Sequence, residues 1–275
     1  MNVALATLVV AVFTALGVTA MLLVRRRAPE GSRFTDGDRA SGVFGVLATG
    51  FSVLLGFIVF LAFESYDQSR AGAEAEALVL AQQVQTAQFM PRPAGDRLTG
   101  QLICYGRSVV FVEWPRSEAG QRSDDINPWG VELFRTLKTV QPRTASEQSA
   151  YDKWLDQTSE REAARIDRIH GAVGVIPSPL WVVLLFISVV IFVYMLFFAD
   201  SGESSLSQAV LMGSVVSVMA AMLLLIQFLD SPFREGIGGI RPVAMERTLG
   251  IMDQELRVLG RPIAVPCNSE GAPAT

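Results

Sequence analysis

The sequence predicts an all-α membrane protein: four transmembrane helices in two hairpins, with a helical soluble insert between the second and third spans. Two observations carry that expectation. Val3–Val24, Ser41–Phe63, Pro179–Ala199 and Ser204–Leu229 contain no Asp, Glu, Lys, Arg or His. Each is as long as the roughly 20 apolar residues a helix needs to cross the hydrocarbon core. In lipid a helix pairs every backbone N–H and C=O internally, whereas a buried soluble helix carries charges on one face. The second observation is the polar stretch Glu64–Gly171, which shows no sustained period-two alternation and so reads as helical.

The elements follow in order, divided as 1–63 (first hairpin), 64–172 (insert), 173–230 (second hairpin) and 231–275 (amphipathic helix and tail). The first span is followed by Arg25-Arg26-Arg27 and has no basic stretch ahead of it, the pattern of an uncleaved anchor. A short connection, Arg25–Ala40, leads to the second span. Beyond that span, Ala73, Ala77, Leu80, Ala81, Val84 and Ala87 share one helical face, so a single helix is expected to run on from the membrane until Pro91 and Pro93. Leu98, Leu102, Tyr105, Val109 and Val112 mark the next helix, expected to halt at Trp114-Pro115. Asn127-Pro128 opens another, with Asn as cap and Pro in the first turn. Thr144-Ala145-Ser146-Glu147 is a capping box for a helix reaching about His170. A tight acidic turn near Asp200–Glu203 joins the last two spans. Met245, Leu249, Met252, Leu256 and Leu259 then follow a three-four rhythm, and the tail from Pro266 is expected to be disordered.

Half the residues are apolar and 18% are charged, with a formal charge of −4. That balance argues against a nucleic-acid partner; the bilayer is the partner the composition demands. Cys104 and Cys267 are too few for a disulfide framework and lack metal-site spacing. In a four-span topology both fall on one side of the membrane. A single bridge is open to them, but two unrelated reduced thiols is the favoured reading. No phosphate loop, nucleophile elbow or paired-carboxylate motif is present, and the sole histidine, His170, has no partner at catalytic or metal-ligating spacing. No enzyme, metal or cofactor is expected.

The first connection carries Arg25, Arg26, Arg27, Arg33 and Arg39, which places it in the cytoplasm and the insert outside. Arg70, Arg161, Arg165, Arg168, Arg234, Arg241 and Arg247 flank the spans on the other side and weaken that vote, so the orientation stays open.

The second span reads Phe51-Ser52-Val53-Leu54-Leu55-Gly56-Phe57-Ile58-Val59-Phe60-Leu61, with the polar exit Glu64-Ser65-Tyr66-Asp67-Gln68. This resembles the pore helix of bestrophins. Leu229-Asp230-Ser231-Pro232-Phe233 with Pro242 is similar to the segment that follows the last bestrophin span. Glu113-Trp114-Pro115 and Pro179-Leu180-Trp181 sharpen the likeness to a bestrophin-like bacterial multi-pass membrane family, itself distantly similar to bestrophin anion channels. The resemblance covers Gly42–Met252. It implies a pentameric channel for small anions in a bacterial inner membrane, with the insert in the cytosol, the reverse of the arginine vote. It places the apolar neck at Thr49, Val53 and Phe57, although Thr49 departs from the family's apolar residue. Arg234-Glu235-Gly236 stands where eukaryotic members carry an acidic run, so no calcium site is expected.

Each constellation also has a plain structural account. Val53 and Phe57 can pack or face lipid, and Gly50 and Gly56 suit close helix approach as well as a narrow pore. Glu64, Asp67 and Arg70 form a charged mouth or a solvated helix surface. Asp230, Pro232 and Phe233 read as a helix-terminating motif, because Pro cannot continue a helix. Arg161, Arg165 and Arg168, with Glu162 and Asp167, read as a solvated helix face. The competing function is a non-conducting, membrane-anchored scaffold or sensor whose insert binds a partner.

Overall fold

A computed structural model describes residues 3–31, 33–121, 125–260 and 263–274. Among them the helices are α1 (Val3–Arg25), α2 (Gly37–Ala87), α3 (Arg92–Ser108), α4 (Trp114–Glu118), α5 (Pro128–Leu137), α6 (Ala145–His170), α7 (Ser178–Phe197), α8 (Ser205–Leu229) and α9 (Val243–Leu259). Four of them, α1, α2, α7 and α8, are long and apolar enough to cross a membrane. The chain divides into two compact units, Met1–Glu64 with Gly174–Asp230, and Ser65–Val173 with Ser231–Thr275.

The first unit holds the apolar helices. α1 and α8 approach closely through reciprocal glycines. A Cβ at Gly17 would sit 2.9 Å from Val216 Cγ2, and one at Gly213 would sit 3.3 Å from Val18 Cγ2. Small residues let backbones approach where lipid tails leave no hydrophobic drive between helices. Phe51, Leu55 and Ile58 of α2 pack with Leu184 and Ile191 of α7 and Ile226 of α8. At the end with the short connections, Phe34, Phe44, Tyr194, Phe197 and Phe198 form a ring cluster with centroids 4.9–6.0 Å apart. The Arg25 guanidinium donates to the carbonyls of Ser201 and Glu203, tying the two connections together. The backbone N–H groups of Gly31 and Gly202 hold the Asp200 carboxyl below its ordinary value.

The second unit is a helical body. α2 runs unbroken past the apolar stretch, and its 51 residues make it roughly 75 Å long at 1.5 Å per residue. Ala73, Ala77, Leu80, Val84 and Ala87 are buried against α3, α5, α6 and α9, as their shared face predicts. Asn127 caps α5 by accepting from the Trp129 N–H at 3.0 Å. Thr144 and Glu147 form the reciprocal capping box of α6.

In its backbone path, its cross-link and its tail the second unit departs from the sequence-based expectation. Trp114-Pro115 does not stop the helix. Val109–Glu113 forms a π-helical segment that joins α3 to α4. The wider turn absorbs a proline, which has no N–H to give the preceding turn. Cys104 and Cys267 are not free thiols: they are joined in a disulfide, with Cα atoms 5.7 Å apart. The tail is accordingly ordered over 263–274. The Trp129 indole donates to the Gly271 carbonyl at 2.6 Å, Arg107 donates to the Asn268 carbonyl at 3.1 Å, and Gly271 adopts φ 83° where a Cβ would strike the backbone of Ser108. Low local hydrophobicity predicted disorder, but a covalent link to α3 and side-chain donors from α3 and α5 hold the segment.

Candidate functional site

Helix α2 carries the residues that the sequence singles out, and the register of the helix sorts them. Positions 49, 53 and 57 recur every four residues and therefore lie on one face. Phe51, Leu55 and Ile58 take the opposite, packed face. Thr49 is exposed, and Val53 and Phe57 are 55% and 66% exposed, with Val46 and Phe60 continuing the stripe. No atom lies within 4 Å of the Cβ position of Gly42, Gly45, Gly50 or Gly56. These glycines are therefore not used for packing inside the protomer, unlike Gly17 and Gly213. The stripe alternates glycine with bulky apolar residues and one hydroxyl, and α7 and α8 leave it uncovered.

Beyond the apolar run, Glu64, Asp67 and Arg70 are exposed. Arg70 pairs with Glu74 of its own helix at 3.3 Å, an exposed pair worth a few tenths of a kcal/mol at most, on the order of 0.3–0.5. In the second unit a cavity of about 630 Å³ is lined by Tyr66, Arg70, Glu74, Arg241 and Arg247, among others. Three guanidinium groups face one carboxylate there. The sequence named each of these arginines but not their meeting, because α9 comes back to α2 only in three dimensions.

Asp230 does more than end a helix. α8 stops at Leu229, and one Asp230 carboxylate oxygen accepts the N–H groups of Val175 (2.7 Å) and Ile176 (3.0 Å). It thereby satisfies two backbone donors just ahead of α7, which has no side-chain cap of its own. Replacing Asp230 by Ala is expected to destabilise the second hairpin by about 1–3 kcal/mol, because two sheltered donors lose a charged acceptor. Thermal unfolding in detergent reads that loss, and Asp230→Asn should recover part of it. Pro232 and Phe233 are buried in the second unit, where the Phe233 ring meets Trp114 edge-on at 5.4 Å.

The arginines of α6 are not solvated. Arg161, Arg165 and Arg168 are buried, Arg168 completely. The local cause is Gly72: a Cβ there would meet the Ala164 carbonyl at 2.8 Å, so α2 and α6 touch backbone to backbone. One turn on, Glu76 reaches Arg168 Nε at 2.5 Å, and Glu113 from the π segment reaches Arg168 Nη2 at 2.6 Å and Arg165 Nε at 3.2 Å. Tyr105 donates to Glu76 at 2.6 Å and Asn127 donates to Glu113 at 2.8 Å. Burial by itself pushes the Glu113 carboxyl up, but Arg168 and Arg165 more than offset it and hold it below the usual range. Burial and the Glu76 charge push the Tyr105 phenol well up. This network fixes the helical body. Its signal in the sequence is Glu76, a carboxylate set in the otherwise apolar face of Ala73, Ala77 and Leu80. Among the described residues no group of three His, Cys, Asp or Glu side chains gathers to hold a metal.

The bestrophin-like domain family matches residues 11–245. No curated protein matches the sequence significantly. The fold is similar to crystal structures of variants of a bacterial bestrophin homologue from Klebsiella pneumoniae. One has a TM-score of 0.68 at 13% identity, covering 92% of this chain and 99% of that one. Another has a TM-score of 0.62 at 13% identity, covering 89% and 98%. The stretch matched at family level contains most of the first span, the other three spans and the whole insert, and the chain belongs to the bestrophin-like family.

Proposed function

We propose that this protein is a homo-oligomeric channel for small anions in the bacterial inner membrane, with α2 of each protomer facing a common axis. The observation that carries this reading is the uncovered stripe of α2. A ring of copies would bring Thr49, Val53 and Phe57 together as a narrow neck, and apolar constrictions gate by dewetting. The open Cβ positions at Gly42, Gly45, Gly50 and Gly56 leave room for a neighbouring copy or for the conduit. Glu64, Asp67 and Arg70 stand at its mouth, and the excess of guanidinium groups around the nearby cavity favours anions. Family membership supports the same reading. A ring closed by rotation is the geometry a central conduit needs, and a pentamer is the stoichiometry the resemblance implies.

The test is chloride efflux from liposomes holding the purified protein. Val53→Ala and Phe57→Ala together should raise efflux several-fold by widening and wetting the neck. An absence of flux in both native and variant protein, with oligomers intact, overturns the proposal. A monomer or dimer in detergent-corrected mass measurement favours the non-conducting scaffold instead.

A further inference from the structure

We propose that the second unit, with the insert and the C-terminal segment, lies outside the cytosol, where thiol–disulfide exchange closes the Cys104–Cys267 bond. The inference does not depend on whether α2 lines a pore, and it reverses the cytosolic placement of the insert that the bestrophin resemblance implies. Cys104 lies in the insert and Cys267 follows the last span. Two helices long enough to cross the bilayer, α7 and α8, separate them in the chain. An even number of crossings returns the chain to the side it left, so a disulfide between these residues is topologically allowed in either orientation. Chemistry then chooses the side. Cytosolic thiols are kept reduced, whereas disulfides form and persist in oxidising compartments.

The bond is also built in rather than incidental. Cys104 is fully buried and Cys267 nearly so. The Arg107 guanidinium lies 3.9 Å from Cys267 Sγ and donates to the next carbonyl, that of Asn268. A Cβ at Gly100 would strike the Ala264 carbonyl, so the tail lies flat on α3 on the approach to the bond.

Charge supports the same orientation independently. The short connection between α1 and α2, with the helix ends that flank it, holds five arginines, Arg25, Arg26, Arg27, Arg33 and Arg39, and short loops rich in Arg stay in the cytoplasm. The arginines on the other side belong to a long insert and to the C-terminal segment, and long segments translocate largely regardless of their charge. Several of them, Arg161, Arg165 and Arg168, end up buried in the folded unit. Arg25 hydrogen-bonds to the α7–α8 connection, so both short connections sit at the same end of the bundle, as this topology requires.

The bond forms with a disulfide oxidoreductase of that compartment as oxidant. A cysteine thiolate attacks the oxidant's disulfide to give a mixed disulfide, and the second cysteine thiolate displaces the oxidant's sulfur. The two thiols lose two protons and two electrons, and the oxidant's disulfide leaves as a dithiol. Because Cys104 has no exposed surface in the folded unit, the exchange takes place as that unit folds.

The test uses the full chain in a Gram-negative host, with the native cysteines kept. Thr35→Cys reports on the first connection, and Ser149→Cys and Ser146→Cys on exposed positions of α6. In intact cells a membrane-impermeant maleimide should label the two α6 positions and should reach Thr35→Cys only after permeabilisation. In parallel, native protein from acid-quenched cells should resist alkylation until reduced, while protein from a host lacking its dithiol oxidase should present both thiols. Labelling of Thr35→Cys in intact cells, silence of both α6 positions, or free Cys104 and Cys267 in the oxidase-proficient host would each overturn the proposal.

Discussion

Replacing Arg168 by Met is expected to destabilise the helical body by about 3–5 kcal/mol, the largest effect of any single change in the buried network. Arg168 is fully buried and is shared by Glu76 and Glu113. Removing it takes the guanidinium from Glu76 and leaves Glu113 with Arg165 in a low-dielectric interior, so the penalty is that of under-compensated charge and not of one lost hydrogen bond. Neutralising its deepest partner at the same time, as Arg168→Met with Glu76→Gln, should recover a substantial part of the loss. Denaturant titration followed by tryptophan fluorescence reads this directly, since Trp114, Trp129 and Trp154 all lie in the core of that unit. The native network also sets a pH dependence. The folded-state pKa of Glu113 is depressed, so its contribution is fully present above the unfolded value of about 4.3. It is lost as pH falls through the lower folded value. In the variant Arg165 is the remaining guanidinium paired with Glu113. The acid limb of the stability curve should therefore move to higher pH, and an unmoved limb would argue that Arg168 does not hold Glu113 ionised.

Reducing the Cys104–Cys267 bond, or replacing both cysteines by Ala, is expected to cost about 2–5 kcal/mol and to release the tail. The sequence separation of 163 residues gives an entropic stabilisation of about 5 kcal/mol for a free chain. Between the two cysteines α7 and α8 stay in the bilayer when the body unfolds, and that tether brings the expectation below the free-chain value. Limited proteolysis separates the global from the local consequence. Cleavage within 263–274 should appear on reduction, because the hydrogen bonds from Trp129 to Gly271 and from Arg107 to Asn268 then stand without the covalent link. A tail that stays protected and an unchanged melting temperature would show that packing on α3 suffices.

Much of the architecture is legible in one dimension. A run such as Ser41–Phe63 announces a span by the absence of charge, which is a property of the segment alone. The same holds for the α6 capping box, where Thr144 and Glu147 are three residues apart, and for the Asn127-Pro128 helix start. That Thr49, Val53 and Phe57, the positions the resemblance picks out, share one face of the helix follows from helical spacing. The exposure of that face does not, because which face of α2 the other apolar helices cover depends on residues such as Leu184 and Ile226, more than a hundred positions away. Trp114-Pro115 misleads for a related reason. A proline stops an α-helix by local rules, yet the π turn before it removes the conflict, and nothing in the local sequence specifies that turn.

The chain alone therefore settled its class, its membrane residence and its element order, since hydropathy, capping and turn chemistry act between near neighbours. The sense of the α6 arginines and the state of the two cysteines were decided by tertiary structure. An arginine stripe is solvated or buried according to whether carboxylates from other helices arrive to meet it. Here the close approach at Gly72 delivers Glu76, and the π segment delivers Glu113. Two thiols become one bond according to whether a folded body brings their Cα atoms within reach across 163 residues of chain.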